Sequence, residues 1–304
     1  MAGGMGTRLR SITGDTPKPM VPLLGRPMME HIIILLREQG FTDICAAVRY
    51  RAGDIMGYFG DGSRFGVRLQ YRVEDRALGT AGGVKNCWDF YGDEDFLVIS
   101  GDAACDFELR SLMDAHRRSG ADATIALYRS REPLRYGLAV TDHDGLVRSF
   151  VEKPDWSRVV TDLVNTGIYV LSPRAMELVP DGTEYDFGKQ LFPQLLESGR
   201  TVLGVPMDGY WCDIGTPLSY YRCCVDALEG RLRLDLPEQF RPGSAPEAED
   251  APEDADCTED CPCVSRAELM GALSELMLDM GADYSDGLRL RTERYSLHIR
   301  PCAG

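Results

Sequence analysis

The chain has no apolar run long enough to cross a bilayer. Its most hydrophobic stretch, Ile32 to Leu36, lies inside an amphipathic pattern and falls far short of the roughly 20 residues a membrane helix needs. Positive charge is also scarce. With 33 Lys and Arg against 48 Asp and Glu, the formal net charge is -15. That balance excludes a broad nucleic-acid-binding surface, which needs clustered cations. It does not exclude a phosphorylated small molecule held by a few local ones. The opening residues lack an apolar h-region and a cleavage site, so nothing in them predicts secretion. Ten cysteines are present, but Cys45, Cys87 and Cys105 sit in strand-like and helix-like segments rather than at the spacings of a disulfide framework. This usage fits reduced thiols and a cytoplasmic setting. Cys257, Cys261 and Cys263 lack both a fourth ligand and the two-residue spacing of zinc sites, so they read as an incidental cluster. His31, His116, His143 and His298 fall at unconnected positions and suggest no catalytic triad. The Walker loop and the dinucleotide-binding fingerprint are both absent.

What is present divides into three zones. Up to about Arg241, apolar strand-like runs alternate with amphipathic helix-like ones. Ile44 to Val48, Phe96 to Ser100, Thr124 to Tyr128 and Gly167 to Leu171 are of the first kind; Met28 to Gln39 and Glu108 to Arg118 are of the second. This alternation predicts an α/β fold of Rossmann-like type, a mixed and mostly parallel sheet flanked by helices. Pro242 to Cys263 is of different composition, with eight acidic residues, four prolines and no Lys or Arg. Such a segment cannot bury a core and reads as a disordered acidic linker over 242–263. Residues 264–304 then offer one helix-like stretch, Ala267 to Met280, and two strand-like runs, Leu288 to Thr292 and Ser296 to Ile299. That is too little to form a stable domain alone.

The first zone begins with a glycine-rich string, Ala2-Gly3-Gly4-Met5-Gly6-Thr7-Arg8. Glycine tolerates positive φ, so such a string can turn its backbone N–H groups inward around an anion. Arg8 and Lys18, the latter in Pro17-Lys18-Pro19, supply the positive charge a triphosphate requires. Further along, Asp102 follows the apolar run Phe96 to Ile99, which places it at the carboxyl end of a strand, where open α/β sheets bind ligands. Asp213 follows the aromatic pair Tyr210-Trp211. Asp106 reads as the N-cap of a helix starting near Phe107.

In order along the chain these segments form a set. The glycine string and Pro17-Lys18-Pro19 are followed by Leu78-Gly79-Thr80-Ala81-Gly82-Gly83, Ser100-Gly101-Asp102 and Tyr136-Gly137. Then come Glu152-Lys153-Pro154, Asn165-Thr166-Gly167-Ile168-Tyr169 and Trp211-Cys212-Asp213-Ile214-Gly215-Thr216-Pro217. The set resembles the sugar-nucleotide pyrophosphorylases, the nucleotidyltransferases that make activated sugars, and within them looks most like the mannose-1-phosphate guanylyltransferases. It covers roughly the first 230 residues.

The resemblance implies a reaction. A sugar 1-phosphate oxygen attacks the α-phosphorus of a nucleoside triphosphate, GTP and mannose 1-phosphate by the closest likeness, and pyrophosphate leaves. Because two anions are pushed together, catalysis is chiefly positioning and charge neutralisation. Two unit charges about 4 Å apart repel by roughly 4 kcal/mol at an effective dielectric near 20. The resemblance implies Mg²⁺, with Asp102 and Asp213 as its ligands. Arg8, Lys18 and Lys153 are the implied catalytic cations, Lys153 holding the sugar phosphate. Ala2, Gly3, Gly4, Gly6, Thr7, Glu74, Gly79 and Thr80 are the implied nucleotide contacts. Gly137, Glu152, Asn165 and Thr166 are the implied sugar contacts. Glu74 lies where relatives that use a pyrimidine carry an amide. A carboxylate only accepts hydrogen bonds and suits the N1–H and N2–H₂ edge of guanine. Substrates and product are small molecules; homo-oligomerisation is left open.

The chain departs from that pattern in two places. Relatives enter the glycine string from a short apolar strand, buried on both faces at the centre of the sheet; here that first strand is expected to be missing. The tail from Tyr284 to Pro301 weakly resembles part of the last domain of a phosphohexomutase, and no serine-centred mutase motif accompanies it. A non-catalytic sugar-nucleotide-binding homologue therefore stands beside the active enzyme as a reading, and dTTP, UTP or ATP with glucose 1-phosphate as alternative substrates.

Overall fold

The computed structural model describes residues 1–3, 9, 13–155, 157, 159–237, 240, 288–291 and 296–299. A short hairpin, β1 (Pro22–Leu23) and β2 (Arg26–Pro27), leads into α1 (Met28–Glu38), followed by β3 (Asp43–Val48), α2 (Ala52–Phe59) and β4 (Arg68–Val73). Next come α3 (Gly79–Lys85), α4 (Trp88–Tyr91), β5 (Phe96–Ile99), β6 (Ala103–Cys105), α5 (Leu109–Ser119) and β7 (Ala123–Arg129). The order continues with β8 (Leu138–Thr141), β9 (Val147–Val151), β10 (Leu163–Leu171), α6 (Pro173–Met176), α7 (Phe192–Glu197), β11 (Val202–Pro206), β12 (Trp211–Asp213) and α8 (Pro217–Leu228). The two strand-like runs of the tail form an antiparallel pair, β13 (Leu288–Arg291) and β14 (Ser296–Ile299). The predicted helix Ala267 to Met280 and the acidic segment lie outside the described residues.

The helices follow their apolar spacing. In α1, Met28, Met29, Ile32, Ile33 and Leu36 are all buried, the i, i+3, i+4, i+7 stripe of a helix packed on one face. In α5 the stripe is Leu109, Leu112, Met113 and His116, and the helix ends at Gly120, whose left-handed φ of 61° lets its N–H close on His116 O. The N-cap of α5 is Glu108, not a residue before Phe107. Asp106 serves elsewhere: its carboxylate accepts from the Tyr210 and Arg233 backbone N–H groups and from the Arg233 side chain, tying the start of α5 to the β12 region.

The main sheet has the order β11-β7-β10-β8-β9, with β5 also paired to β10. β5 and β7 both run antiparallel to β10, and β11 runs parallel to β7, so β5, β7 and β11 share one direction. β3 and β4 form a separate parallel pair. The sheet is the mixed α/β sheet the pattern predicts; β8 runs with β5, β7 and β11, and β9 and β10 run against them. Its apolar residues pack on helices at both faces. On one side Ile125, Tyr169 and Leu171 meet Phe187, Phe192 and Leu195; on the other Ile168 and Val170 meet Leu109 and Leu112.

Between β3 and β5 the sheet is open. Met1 N donates to Ile99 O at 2.9 Å, Gly101 N to Met1 O at 2.7 Å, and Ala2 N to Ala47 O at 2.9 Å. These are the rungs of a parallel strand bonded on both sides, and among the described residues Met1 and Ala2 supply them. Alongside the rest of β3 and β5 runs a cleft of about 700 Å³, lined by Ile33, Leu36, Ile44, Cys87, Phe96 and Leu97 among others. This is the place in the sheet where the sequence pattern leads one to expect a central strand.

Candidate active site

Two carboxylates about a third of the chain apart are brought together by one strand pair. Asp102 lies in the turn between β5 and β6, and Asp213 ends β12. β12 pairs with β6 so that Asp213 is opposite Ala103, the residue after Asp102. A third group comes from the Pro17-Lys18-Pro19 turn, where proline fixes φ on either side of the lysine. Lys18 is 8% exposed, and its Nζ donates to Asp102 Oδ2 at 2.7 Å and to Asp213 Oδ1 at 2.9 Å. The Ser100 hydroxyl donates to the other oxygen of Asp102. Burial works against the charges of Lys18 and Asp102, but attraction outweighs it. Burial pushes the Lys18 ammonium down, yet Asp102 and Asp213 together hold it above the usual lysine range. Burial pushes Asp102 up, yet the Lys18 charge and hydrogen bond and the Ser100 hydroxyl hold it below the usual carboxylate range. Both groups stay ionised.

The predicted sugar residues gather on a second wall, around Glu152. Asn165 N donates to Gly137 O at 2.8 Å, which joins those two residues across the sheet. A side chain at Gly137 would put Cβ 2.7 Å from Glu152 Oε2, and one at Gly188 would do the same. Glu152 is thus a half-buried carboxylate between two glycine backbones, and no hydrogen-bond donor reaches it among the described residues. Burial, then the nearby Asp186 charge, push its carboxyl up. Lys153 is exposed with φ at 42°, a left-handed conformation rare outside glycine. No hydrogen bond or ion pair links it to the Lys18 cluster among the described residues. Thr166 departs from its predicted role. Its hydroxyl donates to Ala126 O at 2.7 Å within the sheet, and its carbonyl accepts from Trp211 Nε1 at 3.0 Å. At 2% exposure its side chain is a strut of the sheet rather than a sugar contact. Gly167 beside it has a φ of 77° and breaks the register between β10 and β7.

On the nucleotide side, Ala2 is buried and fixed to Ala47, and Gly3 follows beside Arg49. Gly4, Gly6, Thr7 and Arg8 lie outside the described residues. Gly79 needs its missing side chain: with φ at 71°, a Cβ there would lie 2.5 Å from Tyr185 O. The Thr80 hydroxyl donates to Asp186 Oδ2 at 2.9 Å and accepts from Phe187 N at 2.9 Å, so this loop is fastened to the segment that flanks Glu152. Glu74 is buried, with one oxygen 3.3 Å from the donating Leu78 N–H and the other against Gly83. Burial pushes its carboxyl up.

Sequence reasoning missed Ser100, Gly188 and Asp186. Ser100 stood inside a quoted motif, two residues before Asp102, and its hydroxyl could have been noted. Nothing local distinguishes Gly188 or Asp186, which matter only because residues 185–188 fold back on Thr80 and Glu152. Cys257, Cys261 and Cys263, read from the sequence as an incidental cluster, lie outside the described residues; among the described ones, Cys45, Cys87, Cys105, Cys212, Cys223 and Cys224 are all free thiols.

Residues 1–230 match the family described as nucleotidyl transferase. The chain belongs to that family. It is 39% identical over 258 residues to a UTP–glucose-1-phosphate uridylyltransferase of Synechocystis sp., covering 80% of this chain and 66% of the relative. It is 33% identical over 231 residues to a mannose-1-phosphate guanylyltransferase of Mycobacterium tuberculosis, covering 76% of this chain and 64% of the relative. The chain thus spans just under two thirds of the length of these two curated relatives. Among solved structures it is similar to HddC from Yersinia pseudotuberculosis, with a TM-score of 0.64 and 30% identity, over 73% of this chain and 95% of that one. A complex of HddC with GMP-PN matches over the same shares at 31% identity. The resemblance read from the motifs therefore holds at the level of the family. Among the described residues no helix is long and apolar enough to cross a membrane.

Proposed function

We propose that the chain joins a nucleoside triphosphate to a sugar 1-phosphate, releasing pyrophosphate and forming a nucleotide sugar. The observation that carries this reading is the buried cluster of Lys18 between Asp102 and Asp213, at the carboxyl end of β5, in a chain of the nucleotidyl transferase family. A phosphate oxygen of the sugar 1-phosphate is already an anion at neutral pH, so its attack needs no base. The new P–O bond forms at the α-phosphorus as the bond to the bridging oxygen of pyrophosphate breaks, and both electrons of that bond leave with pyrophosphate. What the protein supplies is alignment and positive charge. Arg8 and Lys18 serve the triphosphate and Lys153 the sugar phosphate. Glu152 and Asn165 accept from sugar hydroxyls, with Gly137 giving close backbone approach.

The donor set suits Mg²⁺. Two carboxylates converge on one cation, the Lys18 ammonium, and Mg²⁺ characteristically takes one or two carboxylates with phosphate oxygens. Bound there through Asp102 and Asp213, the ion would offset negative charge on the phosphates. For the finer substrates, Glu74 and the closeness to guanylyltransferases support GTP and mannose 1-phosphate; the Synechocystis relative supports UTP and glucose 1-phosphate as the second reading. All these residues fall within 1–241, which we take as the transfer unit, with 242–263 as linker and 264–304 as an accessory piece. The test is a panel of GTP, UTP, dTTP and ATP crossed with mannose, glucose and heptose 1-phosphates, read by product mass. A guanosine product from GTP supports the finer reading, a uridine product the second, and no nucleotide sugar from any pair would leave the non-catalytic reading.

A further inference from the structure

Lys18 sits where a cation belongs. Its ammonium is buried and meets an oxygen of each of two carboxylates at 2.7 and 2.9 Å. Both oxygens of Asp102 already accept, Oδ2 from Lys18 and Oδ1 from the Ser100 hydroxyl. Asp213 has only Oδ2 without a donor among the described residues. A divalent ion that takes both carboxylates while the ammonium remains is set against a like charge already held by Asp102 Oδ2 and Asp213 Oδ1, so the two cations compete for the seat.

We propose that Lys18 is a displaceable seat-holder, so that binding of the metal at Asp102 and Asp213 is coupled to binding of the triphosphate. This rests on the proposed function and specifies its order of assembly. In the free protein the ammonium neutralises two carboxylates that would otherwise repel each other in a buried site. When a triphosphate arrives, its oxygens give the ammonium another anion to meet, and the carboxylates are freed together. The exchange is confined to the side chain, since Pro17 and Pro19 hold the backbone of the turn and Lys18 leads into a tight turn closed by Val21 N on Lys18 O. The device keeps free metal from occupying the site without nucleotide. It also ensures that a second positive group reaches the phosphates as the metal does. Lys18 is then both a contact for the triphosphate and the residue that sets when the carboxylates become available.

The test is direct titration with Mn²⁺, followed by its electron paramagnetic resonance signal, with no sugar phosphate present. In the absence of nucleotide, Lys18→Gln and Lys18→Met should bind Mn²⁺ about ten-fold more tightly than the wild type, and Lys18→Arg should stay as weak as the wild type. A non-transferable GTP analogue, corrected for its own Mn²⁺ binding, should tighten the wild-type site by about ten-fold or more, within the range usual for coupled sites, and tighten the Gln and Met variants far less. Should both uncharged variants fail to fold, wild-type protein decides. Millimolar or weaker Mn²⁺ binding without nucleotide supports the proposal, and tight binding overturns it. Equal Mn²⁺ affinity in folded Lys18→Gln and wild type would also overturn it, leaving Lys18 as a fixed structural bridge. Failure of the proposed reaction is distinguishable, because the nucleotide-free titrations need no transfer and keep their outcome.

Discussion

Each carboxylate of the central cluster has one residue's worth of chemistry to supply. Asp102→Asn removes a charge beside a buried ammonium and weakens the cation seat without changing side-chain volume. We expect both Asp102→Asn and Asp213→Asn to remain folded and to lose turnover by orders of magnitude, through loss of a charged metal ligand. Steady-state kinetics alongside circular dichroism checks this; folded variants with wild-type turnover would remove both residues from the chemistry. Glu74 governs a finer property. As an acceptor-only group it favours guanine, so Glu74→Gln should narrow the preference for GTP over UTP by about 1–3 kcal/mol, the usual worth of a bidentate base contact. Ratios of kcat/KM for the two triphosphates measure it, and unchanged ratios would show that Glu74, buried and bonded to Leu78, only shapes the loop. The charged residues of the site were legible one by one, because each stood in a distinctive motif. The misreading of Thr166 has a plain cause. A threonine on a strand points to one face or the other according to register, and the break at Gly167 shifts that register in a way no single-sequence pattern shows.

Secondary elements carry the second layer of the design. The Gly79 loop approaches the backbone of Tyr185 so closely that an added Cβ would lie 2.5 Å from its carbonyl oxygen, at a φ of 71°. Gly79→Ala should therefore cost about 1–3 kcal/mol, the usual cost of a strained backbone position. Urea unfolding measures this. A variant as stable as the wild type would mean that the loop moves freely, and that Thr80 does not hold residues 185–188 in place. The strands and long helices were legible in their periodicity: β3, β5, β7 and β10 fall on the four apolar runs, and α1 and α5 on the two amphipathic ones. What could not be read was pairing. The contact of β12 with β6, which sets Asp213 beside Asp102, joins residues about a third of the chain apart and leaves no local signature. The short Phe187–Leu191 turn, capped by Asp186, depends on tertiary contacts in the same way.

At the scale of the whole molecule, the feature to test is the open seam between β3 and β5, where the cleft runs. Unsatisfied N–H and C=O groups along two strand edges cost about 1–3 kcal/mol each where buried, against a typical total stability of about 5–15 kcal/mol. The Met1 ammonium lies in this seam and donates to Ile99 O, and burial pushes its pKa down. Extending the chain before Met1 by an apolar, strand-forming pentapeptide of Lys-Ala-Val-Ile-Leu type should fill the cleft, replace the buried charge by a peptide bond and raise both the melting temperature and turnover. Differential scanning calorimetry of the two forms decides the first part. Equal melting temperatures would show that the cleft does not accept a strand.

The central claim is that Asp102, Lys18 and Asp213 form the centre of a metal-dependent nucleotidyl transfer. The most direct measurement is continuous pyrophosphate release from GTP and mannose 1-phosphate, with and without excess EDTA, together with the yield of nucleotide sugar. The account predicts one pyrophosphate per nucleotide sugar, release that needs both substrates and Mg²⁺, and none in EDTA. Undiminished release in EDTA, or release with no matching nucleotide sugar, would contradict it.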